Sequence, residues 1–347
     1  AASDVYKRQT RSDTLDCLKR EIKDINFIFH LAGVNRPEVT KAFYQGNAGL
    51  TQDIITLLEK NKCKIPILMT SSIQADLDNN YGKSKRQGEE LIKAYADKNH
   101  VSVYIYRLTN VFGKWCRPNY NSVVATWCYN ITHDLPIQIK DETTELELFY
   151  IDVVVETFVS HLHENASTTD TSYEVSTVYK KTLGDIRDLL FKFKQSRENL
   201  IIPEVGCGFE RALYATYLSY FPVDSFSYPL NGHSDDRGTF CEILKTFDSG
   251  QISISTTKPG VTRGNHYHNS KNEKFLVIKG EAVIKLRQIH DDEVISYRVS
   301  DKKMEVVEMI PGYTHNITNV GDEEMIFLIW ANEVFDRSSP DTFYLEV

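Results

Sequence analysis

The apolar positions change rhythm once along the chain. In the first two thirds, short unbroken apolar runs alternate with stretches of helical period. Asp24–Leu31 (DINFIFHL), Lys64–Ser72 (KIPILMTSS) and Val101–Leu108 (VSVYIYRL) have the length and content of buried strands. Between them Gln45–Asn61 and Tyr81–Asn99 read as helices, the second with Gly88, Leu91, Ile92 and Tyr95 on one stripe. Strands alternating with helices predict a parallel, doubly wound α/β sheet, in which ligands sit at the carboxyl ends of the strands. Polar segments fall at those ends: His30 to Asn35, Thr70 to Ser72, and Arg107 to Gly113. From Gly113 to about Phe226 the pattern loosens into a loop at Lys114–Asn121, a helix over Ser122–His133 and an amphipathic helix from Leu183. Pro229 and Gly232 then break it, and only short strands with turn signals follow: Gln251–Thr257, Glu273–Lys279, Glu281–Ile289, Glu293–Val299, Met304–Ile310 and Glu324–Trp330. That run predicts an all-β antiparallel double sheet of the jelly-roll type. The expected domains are residues 1–225 and 226–347.

Composition narrows the function classes. With 347 residues, 41% hydrophobic and 25% charged, the chain has room for two globular domains. A net charge of -8 argues against nucleic acid and anionic membrane as partners. No run of about 18 apolar residues and no secretory signal is present. The cysteines at 17, 63, 116, 128, 207 and 241 form no C-x-x-C pair, which suits reduced thiols in a cytoplasm and deprives the sequons at Asn130, Asn165 and Asn316 of meaning.

Two sets of residues carry chemistry. In the first, Tyr81 and Lys85 stand four apart at the start of a helix and share a face. A lysine beside a phenol lowers its pKa and makes the tyrosine a proton donor to a carbonyl, which a serine at the end of the preceding strand can hold. The surroundings are His30-Leu-Ala32-Gly33 after a strand, Asn47 in the next helix, Ser71-Ser72 before Tyr81-Gly-Lys-Ser-Lys85, and Arg107-Leu-Thr-Asn110-Val-Phe-Gly113. This set resembles the extended short-chain dehydrogenases, with their Rossmann-like sheet. The resemblance implies a catalytic Ser72, Tyr81 and Lys85, with Ser71 the alternative serine. It implies a nicotinamide held by Ala32, Gly33, Tyr81 and Lys85, and a substrate pocket lined by Asn110. The opening does not fit. That family begins with a strand and a glycine-rich turn that cradles pyrophosphate, whereas the first glycine here is Gly33. The expectation is that the first strand, phosphate loop and first helix are missing, through a fragment or a misassigned start. Reductase activity of the chain as given is then in doubt. Arg8 is a candidate for the adenosine phosphate.

The second set is G-x5-H-x-H-x4-E-x6-G, running from Gly260 through His266, His268 and Glu273 to Gly280, and Pro311-Gly312-Tyr313-Thr314-His315 farther on. His266 and His268 alternate by two and share a strand face, and three imidazoles with one carboxylate suit a borderline divalent cation. The spacing resembles the two cupin motifs, except that Pro311 and Gly312 are adjacent rather than separated by one residue. Asp236-Arg-Gly-Thr-Phe-Cys-Glu242 and Arg263-Gly-Asn-His266-Tyr also resemble stretches of the metal-free nucleotide-sugar 3,5-epimerases, where the histidine is the base and Arg263 falls on the substrate side. With His268, Glu273 and His315 beside it, His266 is expected to be a metal ligand instead. Zinc is the first choice among zinc, manganese, iron and nickel.

A reductase joined to a metal cupin resembles the CapF-type capsular polysaccharide enzymes over nearly the whole chain. The resemblance implies a cytoplasmic homodimer acting on a UDP-linked 4-keto-6-deoxy amino sugar. The cupin epimerises C3 of a UDP-2-acetamido-2,6-dideoxy-hexos-4-ulose, and the first domain reduces C4 with NADPH, on the route to UDP-N-acetyl-L-fucosamine. Two other readings stay open at this point. One is a 4-ketoreductase whose cupin is a metal-stabilised dimerisation module. The other is a plain 4-reductase of a dTDP-linked sugar with a sensory cupin.

Overall fold

The computed structural model describes residues 10, 13–22, 24–162 and 171–347. The chain divides into two compact units, residues 1–126 with 139–185, and residues 127–138 with 186–347. The helices, in chain order, are α1 (Leu15–Glu21), α2 (Lys41–Tyr44), α3 (Leu50–Lys60), α4 (Asn80–Asn99), α5 (Val123–Thr132), α6 (Ile151–Ser160), α7 (Leu183–Asn199) and α8 (Gly208–Leu218). None is long and apolar enough to cross a membrane.

The first unit holds β1 (Ile28–His30), β2 (Ile67–Ser72), β3 (Val103–Leu108), β4 (Asn110–Phe112), β5 (Glu145–Tyr150), β6 (Ser172–Tyr173) and β7 (Tyr179–Thr182). A parallel sheet runs β1-β2-β3-β6, and β4-β5-β7 form a second, smaller one. The helix α4 starts where Asn79 Oδ1 accepts the Gly82 N–H at 2.8 Å, and ends on His100 in the left-handed region (φ 54°). It buries Gly88, Ile92 and Tyr95 against Met69, Ile67 and Val103. A Cβ on Gly88 would lie 2.8 Å from the Met69 methyl, so a larger residue here would make the methionine side chain shift. The apolar run Asp24–Leu31 shrinks to three strand residues. Among the described residues β1 pairs only with β2, over Ile28–His30, and Leu31 is 56% exposed. Arg8 lies outside the described residues.

The second unit contains β8 (Gly232–Asp235), β9 (Gly238–Thr246), β10 (Gly250–Thr257), β11 (Thr262–Tyr267), β12 (Glu273–Lys279), β13 (Glu281–Gln288), β14 (Val294–Ser300), β15 (Val306–Met309), β16 (Tyr313–Asn319), β17 (Met325–Ala331) and β18 (Phe343–Tyr344). Two antiparallel sheets, β15-β12-β17-β10-β9-β8 and β14-β13-β16-β11-β18, bury a common core of Phe275, Val277, Ile284, Leu286, Ile317, Met325 and Phe327. Each such side chain contributes roughly 1.5–3 kcal/mol on burial. On β10 the buried alternate positions are polar instead, at Gln251, Ser253, Ser255 and Thr257.

Pure β structure begins at Gly232, with β8. The helical segment ahead of it, however, groups with the sandwich rather than with the first unit. Leu200–Ile202 runs beside β9, the Lys245 N–H donating to Leu200 O (2.8 Å) and the Ile202 N–H to Lys245 O (2.9 Å). The Thr132 hydroxyl donates to Tyr220 O (3.1 Å), which holds residues 127–138 to the same body.

Candidate functional site

Two sites emerge, one in each unit. In the first, Ser72 ends β2 and its Oγ accepts the Gln74 N–H at 3.2 Å, starting a short turn that delivers the chain to α4. Ser72 and Tyr81 line one cavity of about 480 Å³ with Asn35, Arg36, Thr109 and Asn110. Burial raises the Tyr81 phenol, while the hydroxyl of Ser72, hydrogen-bonded to it, pulls the other way. Ser71 points elsewhere. Its hydroxyl donates to buried Glu89 at 2.5 Å, and Glu89 also takes a two-pronged contact from Arg107 at 2.9 and 2.7 Å. The geometry therefore sets Ser72, not Ser71, beside the phenol.

The Lys85 ammonium donates to Thr70 O at 3.1 Å. Burial pushes Lys85 down to about 8, with Glu89 pulling upward. The same ammonium lies 2.9 Å from where a Gly33 Cβ would be, and Asn47 Oδ1 lies 3.1 Å from that point. Asn47 bonds both the N–H and the carbonyl of Val34, at 2.9 and 3.0 Å, and the Ser84 hydroxyl at 2.8 Å. It thus fixes the turn after β1, at Ala32-Gly33, in a narrow cradle that any side chain would fill. Thr109 was not foreseen. Its hydroxyl is buried on the cavity wall with no hydrogen-bond partner among the described residues.

In the second unit, β11 carries His266, His268 follows it by one residue beyond the strand, Glu273 opens β12 and His315 lies on β16 opposite His266. One ligand atom from each of the four lies within 4.8 Å of every other. Glu273 Oε2 stands 3.5 Å from His268 Nε2 and 3.6 Å from His315 Nε2. The facing of His266 and His315 depends on a bulge at Gly264-Asn265, both in the left-handed region (φ 100° and 63°). A Cβ on Gly264 would come 2.8 Å from His315 O.

The chemistry of this group fits a cation. His268 and His315 are 1% exposed, and their Nε2 atoms have no hydrogen-bond partner among the described residues. The Nδ1 of His268 faces Asp341 O at 2.5 Å, an atom that can only accept. Nδ1 therefore carries the proton, and the Nε2 lone pair faces the cluster. Burial, reinforced by His315, pushes His266 down to about 4, so it is neutral near pH 7. Burial opposes the charge on Glu273, but His268, His315 and Lys271 outweigh it and hold the carboxyl well below the usual range. Lys271, itself 7% exposed, binds Glu273 Oε1 at 2.8 Å and leaves Oε2 for the cluster. Imidazole donors around one carboxylate are what zinc and similar cations bind. Arg263 lies nearby on β11, its Nε donating to Thr257 Oγ1 at 3.1 Å. Asn110 lies on the rim of the other cavity.

Comparison with known proteins gives a consistent picture. Residues 6–176 match the NAD dependent epimerase/dehydratase family, and residues 233–343 match the polysaccharide biosynthesis C-terminal domain. A UDP-2-acetamido-2,6-beta-L-arabino-hexul-4-ose reductase of Pseudomonas aeruginosa is 50% identical over 338 residues, covering 97% of this chain and 91% of the reductase. The crystal structure of the capsular polysaccharide assembling protein CapF from Staphylococcus aureus superposes with a TM-score of 0.90 at 49% identity, covering 97% of this chain and 91% of CapF. The spore coat polysaccharide biosynthesis protein SpsL of Bacillus subtilis is 24% identical over 119 residues, covering 31% of this chain and 79% of SpsL.

Proposed function

This chain belongs to the CapF family of capsular polysaccharide enzymes, and from that premise we propose a nucleotide-sugar enzyme with two chemistries on one substrate. The substrate is a UDP-2-acetamido-2,6-dideoxy-hexos-4-ulose. The second unit, a cupin-type sandwich, epimerises C3, and the first unit reduces the C4 ketone with NADPH. The observation that carries the reading is the pairing of Ser72 with a half-buried Tyr81 in a polar cavity, in a chain half identical to a reductase of such a ketone.

At the first site, Ser72 Oγ holds the C4 oxygen and Tyr81 gives it a proton. The raised phenol keeps that proton at neutral pH until the oxygen becomes basic. Ala32, Gly33 and Lys85 lie on the cofactor side, where bound NADPH supplies the hydride. At the second site the proton on C3 is acidic because the neighbouring ketone spreads the charge left behind. His266, His268, Glu273 and His315 would hold one divalent cation, which when bound would stabilise negative charge on that ketone oxygen. Lys271 keeps Glu273 ionised for this role, and Arg263 and the polar inner face of β10 offer hydrogen bonds to the sugar.

A structural role for the cation, as a clamp within a dimerising sandwich, is the second reading. The near-complete burial of His268 and His315 favours it. The partial exposure of His266 and the polar face of Gln251, Ser253 and Ser255 favour catalysis. Elemental analysis together with NMR of the sugar after incubation without NADPH separates them. The proposal expects one metal per chain and a C3-inverted ketone. A metal with no inversion leaves the clamp.

A further inference from the structure

Residues 341–345 return beside β11 and bond to the surroundings of the His/Glu cluster. Asp341 does most. Its main-chain carbonyl accepts from His268 Nδ1, with the Thr342 hydroxyl 3.4 Å from the same nitrogen. Its carboxylate collects the N–H groups of Asn269 (2.9 Å), Ser270 (2.7 Å) and Lys271 (2.8 Å) and the Ser270 hydroxyl (2.9 Å). Those residues form the loop between His268 and Glu273, and Lys271 in turn binds Glu273 Oε1. Farther along, Tyr344 pairs with His266, the Leu345 N–H donates to Asn265 O at 3.0 Å, and the Thr314 hydroxyl, beside His315, donates to Leu345 O.

We propose that Asp341 is a positioning residue for the metal centre, its carbonyl fixing the tautomer and ring of His268 and its carboxylate fixing the loop that aims Glu273. The inference rests on the metal reading above and adds to it the part of the chain that makes the centre rigid. The physical reason is entropic and geometric. Four ligands come from three strands, and H-x4-E leaves a loop between two of them. Three consecutive N–H groups converging on one carboxylate pin that loop before any cation arrives. An acceptor on Nδ1 also raises the basicity of Nε2, and losing such an outer partner typically costs about 10- to 100-fold in metal affinity.

The test uses the full chain, loaded with zinc against a chromophoric chelator. Asp341→Ala, which keeps the carbonyl and removes the carboxylate that holds the loop, is expected to bind zinc about 10-fold more weakly. Its metal-free form should exchange the amides of 269–271 faster while β12 and β17 stay protected. Asp336→Ala, in the same tail but bonded among the described residues within its own turn to Ser338 and Ser339, should match wild type in both. If Asp341→Ala loses protection throughout the sandwich, Asp341→Asn decides instead, with a smaller fall in the same direction. Wild-type zinc binding retained in the deciding variant overturns this inference alone. A wild-type chain that binds no zinc overturns the metal reading and this inference with it.

Discussion

Replacing Lys85 by Met should stabilise the first unit near neutral pH, and the gain should fade as the pH rises. Lys85 is 5% exposed, and burial lowers it from 10.5 to about 8. At about 1.4 kcal/mol per unit, keeping that ammonium charged inside the fold costs roughly 3 kcal/mol. Met fills a similar volume without the charge but gives up the bond to Thr70 O, worth about 1 kcal/mol once the lysine is neutral. The net gain at about pH 7 is then on the order of 2 kcal/mol. Near neutrality the lysine is protonated both folded and unfolded, so wild type bears the whole cost. Between about 8 and 10.5 the folded state sheds its proton first, and wild-type stability rises. By about pH 9.5 the variant's advantage should have shrunk by about 2 kcal/mol. Urea unfolding of both proteins at the two pH values measures this, and the difference between them cancels every other titrating group. A Lys85→Met chain that is less stable than wild type by the same amount at both pH values would refute the reasoning. It would mean that the ammonium is well solvated.

Other outcomes follow from single contacts. Ser72→Ala and Tyr81→Phe should each remove NADPH oxidation without touching stability, whereas Ser71→Ala should leave Glu89 short of a partner and cost about 1–3 kcal/mol in unfolding measurements. Gly264→Ala should cost about 1–3 kcal/mol and weaken zinc binding, since its Cβ meets His315 O while φ stays positive. Unchanged melting and unchanged affinity would show that the bulge relaxes freely.

The strands of the sandwich were legible because their alternation is strict. Glu273–Lys279 is found with those bounds, Gln251–Thr257 begins one residue earlier, at Gly250, and Glu324–Trp330 shifts by one residue to Met325–Ala331. The helix expected over Gln45–Asn61 is present, but its first turn is a π-helix over Gln45–Gly49. Asn47, which bonds both the N–H and the carbonyl of Val34, sits within that turn, and a period-3.6 reading carries no sign of it. The cluster itself could be read from spacing, since each pair of ligands is local or in a known motif. Lys271 left a faint signal, two residues before Glu273 and so on the same side of an extended chain. Asp341 left none. Its role depends on a tail that returns across β11, a long-range register that no local pattern encodes. The same blindness hid the grouping of α7 and α8 with the sandwich, which rests on backbone bonds to Lys245.

Deuterium uptake at C3 tests the central claim most directly. The full chain, loaded with zinc, is incubated with the UDP-linked 4-keto sugar in deuterated water without NADPH, and the sugar is followed by NMR. The account predicts that deuterium enters at C3 with inversion, that His266→Ala abolishes it, and that Tyr81→Phe leaves it intact. A C3 proton that never exchanges in a zinc-loaded wild-type chain would contradict it.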